Sequence, residues 1–161
     1  MNAVQMQIKG LAETHAKCQQ VVADMRGEAF RGAMRRATAL VTEQARRNAP
    51  VDTGRLRASI TPELRVSGVN VLGVVGTNVK YAAAVELGSK PHWMPKAPLR
   101  QWVSRVLRKK GAELESVTFL IQRKIARKGT KAKPYLQPAF EANKARIVAI
   151  IGDAVAQIVS K

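Results

Sequence analysis

The stretch Asn48-Ala49-Pro50-Val51-Asp52-Thr53-Gly54-Arg55-Leu56-Arg57-Ala58-Ser59-Ile60 is where the periodicity of this chain changes, and the fold class turns on it. Before it, Phe30, Ala33, Met34, Ala37, Leu40 and Val41 recur at helical spacing. Arg31, Arg35, Thr38, Thr42 and Arg46 fall on the opposite face, as in an amphipathic helix. Arg46 and Arg47 suit its C-terminal end, where cations meet the negative end of the helix dipole. Pro50 then disfavours helix at Ala49. Asp52-Thr53-Gly54 is a turn signal: an Asp or Thr side-chain oxygen caps backbone groups, and Gly accepts a positive φ. Leu56 and Ile60 are the anchors to the core. Two strands follow, Ser59 to Val66 and Val71 to Thr77, joined at Ser67-Gly68-Val69-Asn70, with Pro62 marking an edge or a bulge. A helix giving way to an antiparallel hairpin predicts an α+β fold.

Working outward, Val4, Met6 and Ile8 alternate with polar neighbours, which predicts a short strand before Gly10. Leu11, His15, Cys18, Val22 and Met25 form a helical stripe that Gly27 interrupts. On the other side, Tyr81 to Leu87 fits either a strand or a helical turn. Lys90 to Pro98 holds three prolines and is expected as a loop. Leu99, Trp102, Val103, Val106 and Leu107 give one helical stripe. Leu114, Val117, Leu120, Ile121 and Ile125 give another, with a break at Gly111 and a stop at Gly129. Together they predict a helical-hairpin insertion at about residues 90–131. Lys131 to Pro134 is a basic linker, and Pro138 suits the first position of a last helix, with Glu141 in its first turn. Phe140, Ile147, Ile150, Ile151, Ala154 and Ile158 line that helix. The expectation is one domain over residues 1–161: a long N-terminal helix and a C-terminal helix packed on a small antiparallel sheet, with the insertion.

A chain of 161 residues is long enough for a real core. Aromatics are only 4%, so that core is aliphatic, and single-strand binding by base stacking is disfavoured. The formal charge of +17 points to a polyanionic or acidic partner, or else to a solvated basic surface. Cys18 is the lone cysteine, which excludes an intramolecular disulfide. Residues 1–25 lack the apolar segment of a signal peptide, and no run approaches the ~20 apolar residues of a membrane span. A soluble protein, intracellular when made, is expected. Two His and one Cys offer little to a metal. His15 and Cys18, one turn apart, read as a core or interface pair, and His92 beside Trp93 as a docking contact. No phosphate-binding or dinucleotide loop is present. No catalytic, cofactor or metal residue is therefore expected, and the chain does not read as an enzyme.

Four motifs, in order, carry a family likeness. They are Ile8-Lys9-Gly10-Leu11 before a long helix; Pro50-x-Asp52-Thr53-Gly54-x-Leu56-x-x-Ser59-Ile60 after it; Gly76-Thr77-Asn78 leading to Tyr81-Ala82-x-x-Val85-Glu86-x-Gly88; and Lys133-Pro134-Tyr135-Leu136-x-Pro138-Ala139-Phe140. With these the chain resembles the neck proteins of long-tailed bacteriophages, also called head–tail joining, tail-completion or minor tail components. The resemblance implies an α+β fold and a virion protein made in the host bacterial cytoplasm. It implies a hexameric ring joining the DNA-filled head to the tail tube. Its partners would be other copies of itself, a head-completion or connector protein on one side, and a tail terminator or tail tube protein on the other. No membrane is involved. A tail-terminator role and non-specific binding of double-stranded DNA are the alternatives.

Two groups of residues are candidates for contact. The first is the motif set Pro50, Asp52, Thr53, Gly54, Leu56, Tyr81, Glu86, Gly88, Pro134 and Pro138. Within it, Tyr81 and Glu86 either pair within the ring interface or lie at its rim, or else are a buried, satisfied Tyr and a solvated Glu. The second is the basic segment. Lys96, Arg100, Arg105, Arg108, Lys109, Lys110, Arg123, Lys124, Arg127, Lys128, Lys131 and Lys133 face only Glu113 and Glu115, a local excess of ten positive charges. They lie largely opposite the apolar stripes. Such a surface suits an acidic neighbour, the phosphates of DNA in the channel, or solvent.

Overall fold

The computed structural model describes residues 10–68 and 70–160. The strand expected at Val4, Met6 and Ile8 lies outside the described residues. The elements are α1 (Leu11–Asp24), α2 (Glu28–Asn48), α3 (Arg55–Ser59), β1 (Thr61–Ser67), β2 (Asn70–Gly76), α4 (Ala82–Leu87), α5 (Lys96–Val106), α6 (Gly111–Lys128) and α7 (Leu136–Val159). Helices with one two-stranded antiparallel sheet make the α+β class. The described residues fall into two compact units, one drawn from residues 10–41, 62–68, 70–75 and 142–160, the other from Thr42–Thr61 and Gly76–Glu141.

In the first unit, Phe30 and Ala33 of α2 and Ala154 and Ile158 of α7 form the core. Val71 of β2, Ile150, Ile151 and Val155 of α7, and Val21 with Met25 of the first helical segment pack against it. The N-terminal helix is thus two helices, broken before Gly27, whose N–H closes onto the Asp24 carbonyl at 2.9 Å. Of the stripe expected here only Met25 meets the core. Val21 meets it where Val22 was expected, Val22 is 43% and Leu11 67% exposed, and no α1 residue is buried. One position rotates a side chain by about 100° on a helix, which is how Val22 misses the core that Val21 reaches.

Thr38 and Thr42, assigned above to the polar face of α2, are buried. Thr38 returns its hydroxyl to the Met34 and Arg35 carbonyls at 3.0 Å each, so its polarity is satisfied locally. Its methyl group faces β2 at Gly73, where an added Cβ would lie 2.6 Å from it. The sheet therefore approaches α2 on the threonine side.

In the second unit the chain after the Asp52-Thr53-Gly54 turn makes α3 before it becomes extended, where a strand from Ser59 was expected. Gly54, at φ 78, starts this helix, and its carbonyl accepts the Ala58 N–H at 2.9 Å. Leu56 and Ile60 are buried as expected. The Arg46 guanidinium donates two hydrogen bonds to the Ile60 carbonyl, at 3.0 and 2.7 Å, and so fixes the exit from α3 into β1.

The insertion is a helical hairpin. Leu99 and Val103 of α5 and Leu114 of α6 are its core, with Trp102, Val117, Ile121 and Met94 packed around them. Gln122 is buried and donates to the Met94 carbonyl at 2.6 Å. Helix α5 starts at Lys96, inside the stretch expected as loop. Pro98 sits in the first turn, where a missing N–H costs nothing. At the base, Ser89 and Thr130 exchange both backbone hydrogen bonds at 3.1 and 3.2 Å, and their hydroxyls meet at 2.9 Å. This clasp closes the insertion within a residue of the expected limits. Gly129 has φ 69, and a Cβ there would overlap the Ser89 carbonyl oxygen, so the clasp needs glycine.

Candidate functional site

The motif residues of the second unit converge on two places. The first is the start of α7. Glu86, at the end of α4, accepts the backbone N–H groups of Tyr135 (2.7 Å), Leu136 (3.0 Å) and Gln137 (2.9 Å). The next residue is Pro138, which has no N–H. One carboxylate and one proline thus account for the orphan donors of the first turn. The helix consequently begins two residues before Pro138, which stands third and not first. Burial pushes the Glu86 carboxyl up, but the donors at Leu136, Tyr135 and Gln137 outweigh it and hold it below the usual glutamate range. Lys133 N–H donates to the Val85 carbonyl at 2.8 Å, which draws the fourth motif onto the third.

This arrangement corrects the reading of a buried Tyr81: Tyr81 is 46% exposed, and the half-buried Glu86 is engaged by backbone N–H groups. The buried tyrosine is Tyr135, fully enclosed; burial, with Glu86 and Tyr81 close by, pushes its hydroxyl up. Its carbonyl accepts the Asn48 amide at 3.4 Å.

The second place is a depression of about 320 Å³ lined by Pro50, Asp52, Thr53, Gly54, Leu56, Tyr81, Trp102 and Lys133, among others. Asp52 makes no cap on α3; Gly54 starts that helix with no side-chain bond. Its carboxylate instead receives the Arg105 guanidinium in a two-point pair at 2.9 and 2.5 Å. An exposed residue of the insertion is thereby tied to the turn. Gly88 stands at the clasp, where an added Cβ would meet the Thr130 carbonyl at 2.6 Å. Pro134 is exposed beside the fully buried Tyr135.

The basic residues divide in two. Lys96 and Arg100 bind Glu115 at 2.9 and 2.5 Å, Lys109 binds Glu113 at 2.5 Å, and Arg105 is held by Asp52. Arg100 and Lys96 hold the Glu115 carboxyl below its usual range. Arg108, Lys110, Lys131 and Lys133 are exposed. Arg123, Lys124, Arg127 and Lys128 are exposed on the last turns of α6, and no ion pair among the described residues includes them. With Leu120 they line an open hollow of about 330 Å³.

His15 and Cys18 are both exposed, so they are no core pair. His92 is exposed, its Nδ1 2.9 Å from the Lys90 carbonyl oxygen. Phe140, expected to line the last helix, is 47% exposed. The residues that the sequence reading missed are Ser89, Thr130 and Gln122. A signal for the clasp was present: Gly88-Ser89 and Gly129-Thr130 put a glycine and a hydroxyl at each end of the insertion.

Residues 12–88 match the family described as "Bacteriophage HK97-gp10, putative tail-component". The family points to a phage tail-related structural component, in agreement with the likeness read from the motifs. The matched span holds the Pro50 to Ile60 and Gly76 to Gly88 motifs and ends one residue before the clasp. No curated protein and no solved structure matches the chain. No helix among the described residues is long and apolar enough to cross a membrane.

Proposed function

We propose that this chain, matched over residues 12–88 to a phage tail-component family, is a structural virion protein that forms a ring where the DNA-filled head joins the tail. The observation that carries this reading is the family match, supported by the meeting of its motifs. The α4 segment with Glu86 and the start of α7 are held together by hydrogen bonds, and the turn at Asp52 is held to α5 by one ion pair. Such a rigid unit suits repeated assembly better than catalysis. Apolar faces left uncovered support an assembling role: α1 has no buried residue, and Leu87 is 76% exposed. Burying such surface between copies would supply the driving force for ring closure.

Deletion of the gene in the parent phage or prophage, with the lysate viewed by negative-stain electron microscopy, tests the reading. Filled heads and separate tails are expected. Heads bearing abnormally long tails would move the role to tail termination. Normal infectious particles would overturn both.

A further inference from the structure

We infer that the C-terminal turns of α6 are a binding ridge for the phosphate backbone of duplex DNA, made by Arg123, Lys124, Arg127 and Lys128. The inference stands on the chain's own charge placement, independent of ring formation. Two rows run along the helix, Arg123 with Arg127 and Lys124 with Lys128, and four positions make just over one turn, about 6 Å of rise. The rows therefore present cations at a regular pitch along one exposed strip. Elsewhere in the hairpin Lys96, Arg100, Arg105 and Lys109 are engaged by Glu115, Asp52 and Glu113, whereas the ridge residues have no carboxylate partner among the described residues. The acidic side chains of the insertion sit at the opposite end of α6.

The composition of the ridge decides between a protein and a polyanion. The centre of a protein–protein interface is depleted in charge, lysine above all. Here four cations, two of them lysines, surround a single apolar residue, Leu120, in an open hollow. All four are donors only, which suits phosphate oxygens. Gln122, the amide on this stretch, is buried and already donates to Met94, so the exposed donors are the four cations. Their contacts to phosphate are independent of base sequence and dominated by counterion release.

The test is fluorescence anisotropy of a labelled duplex of about 24 base pairs, titrated with the full chain from 50 to 200 mM salt. Neutralising the ridge (R123Q, K124Q, R127Q and K128Q together) should reduce the slope of log affinity against log salt by about 3.6, at 0.9 per phosphate contact. Over that salt range the change amounts to about a hundredfold. Because four changes on one helix can unfold it, the pairs R123Q/R127Q and K124Q/K128Q are measured too, each expected to give half the effect with an unchanged circular dichroism spectrum. A control removes four scattered exposed cations (R36Q, R57Q, K80Q, K144Q). Duplex DNA should bind at least tenfold tighter than polyglutamate of equal charge, because its charges are more closely spaced. An unchanged slope in the ridge variants, an equal loss in the scattered control, or equal affinity for polyglutamate would each overturn the assignment. The last would favour an acidic protein surface.

Discussion

At the start of α7 three backbone N–H groups meet one carboxylate about fifty residues upstream in sequence. At the start of α1 the chain turns on Gly10, at φ 88, and no side chain caps the helix. The difference continues along each helix: α7 carries Ala154 and Ile158 into a core, while α1 buries nothing fully. Both read as amphipathic in sequence. Periodicity therefore reports that a helix has a face, but not what covers it. What fixes the start of α7 is a polar group brought from a distant segment; α1 starts on Gly10 with no side-chain cap, and Leu11 and Val22 of its stripe are exposed.

The comparison can be broken most forcefully at the clasp that holds the Glu86 segment beside the α7 segment. Gly129→Ala puts a Cβ into the Ser89 carbonyl at a positive φ, and should cost about 3 kcal/mol in urea unfolding. A loss below ~1 kcal/mol would show that the clasp is not rigid.

Next in size is the cap itself. Glu86→Ala leaves three N–H groups without an acceptor and should cost about 2 kcal/mol. The same carboxylate sets an acid limit. Its pKa in the folded chain lies below the unfolded value of ~4.3, so its contribution is complete above that value and is lost as pH falls through the folded one. Glu86→Gln should flatten that part of the stability–pH profile. A variant as acid-sensitive as the parent between about pH 5 and 3 would place the sensitive group elsewhere.

The smallest effect belongs to α1. Val22→Ser should change the stability of the isolated chain by under ~0.5 kcal/mol, since the side chain is already exposed. A larger loss at low protein concentration would mean that the α1 stripe has a partner within the chain.

Much of this architecture was legible. The Gly27 break, the hairpin, the insertion and the stops at Asn48 and Gly129 all follow from local spacing and punctuation. The buried Leu56 and Ile60 do as well. The failures share a cause. Thr38 and Thr42 read as polar because hydroxyls usually face water, but the sheet came to that side and the Thr38 hydroxyl bonded within its own helix. Asp52 reads as a cap because its local geometry allows it, and Arg105, 53 residues away, took it instead. Glu86 stands out in sequence as a motif residue, yet its bonding depends on a helix that begins about fifty positions later. Local signals survive in one dimension; the partner of a polar side chain does not.

The clasp between Ser89 and Thr130 makes the residues between them a cassette. A segment whose two ends already touch can lengthen, shorten or change its surface without moving the residues on either side. The match to the tail-component family stops at Gly88, at the threshold of that cassette. Apart from the clasp, the Arg105–Asp52 ion pair ties that cassette to the residues outside it, so a change of its surface that spares Arg105 alters what the protein offers to its surroundings and keeps this tie.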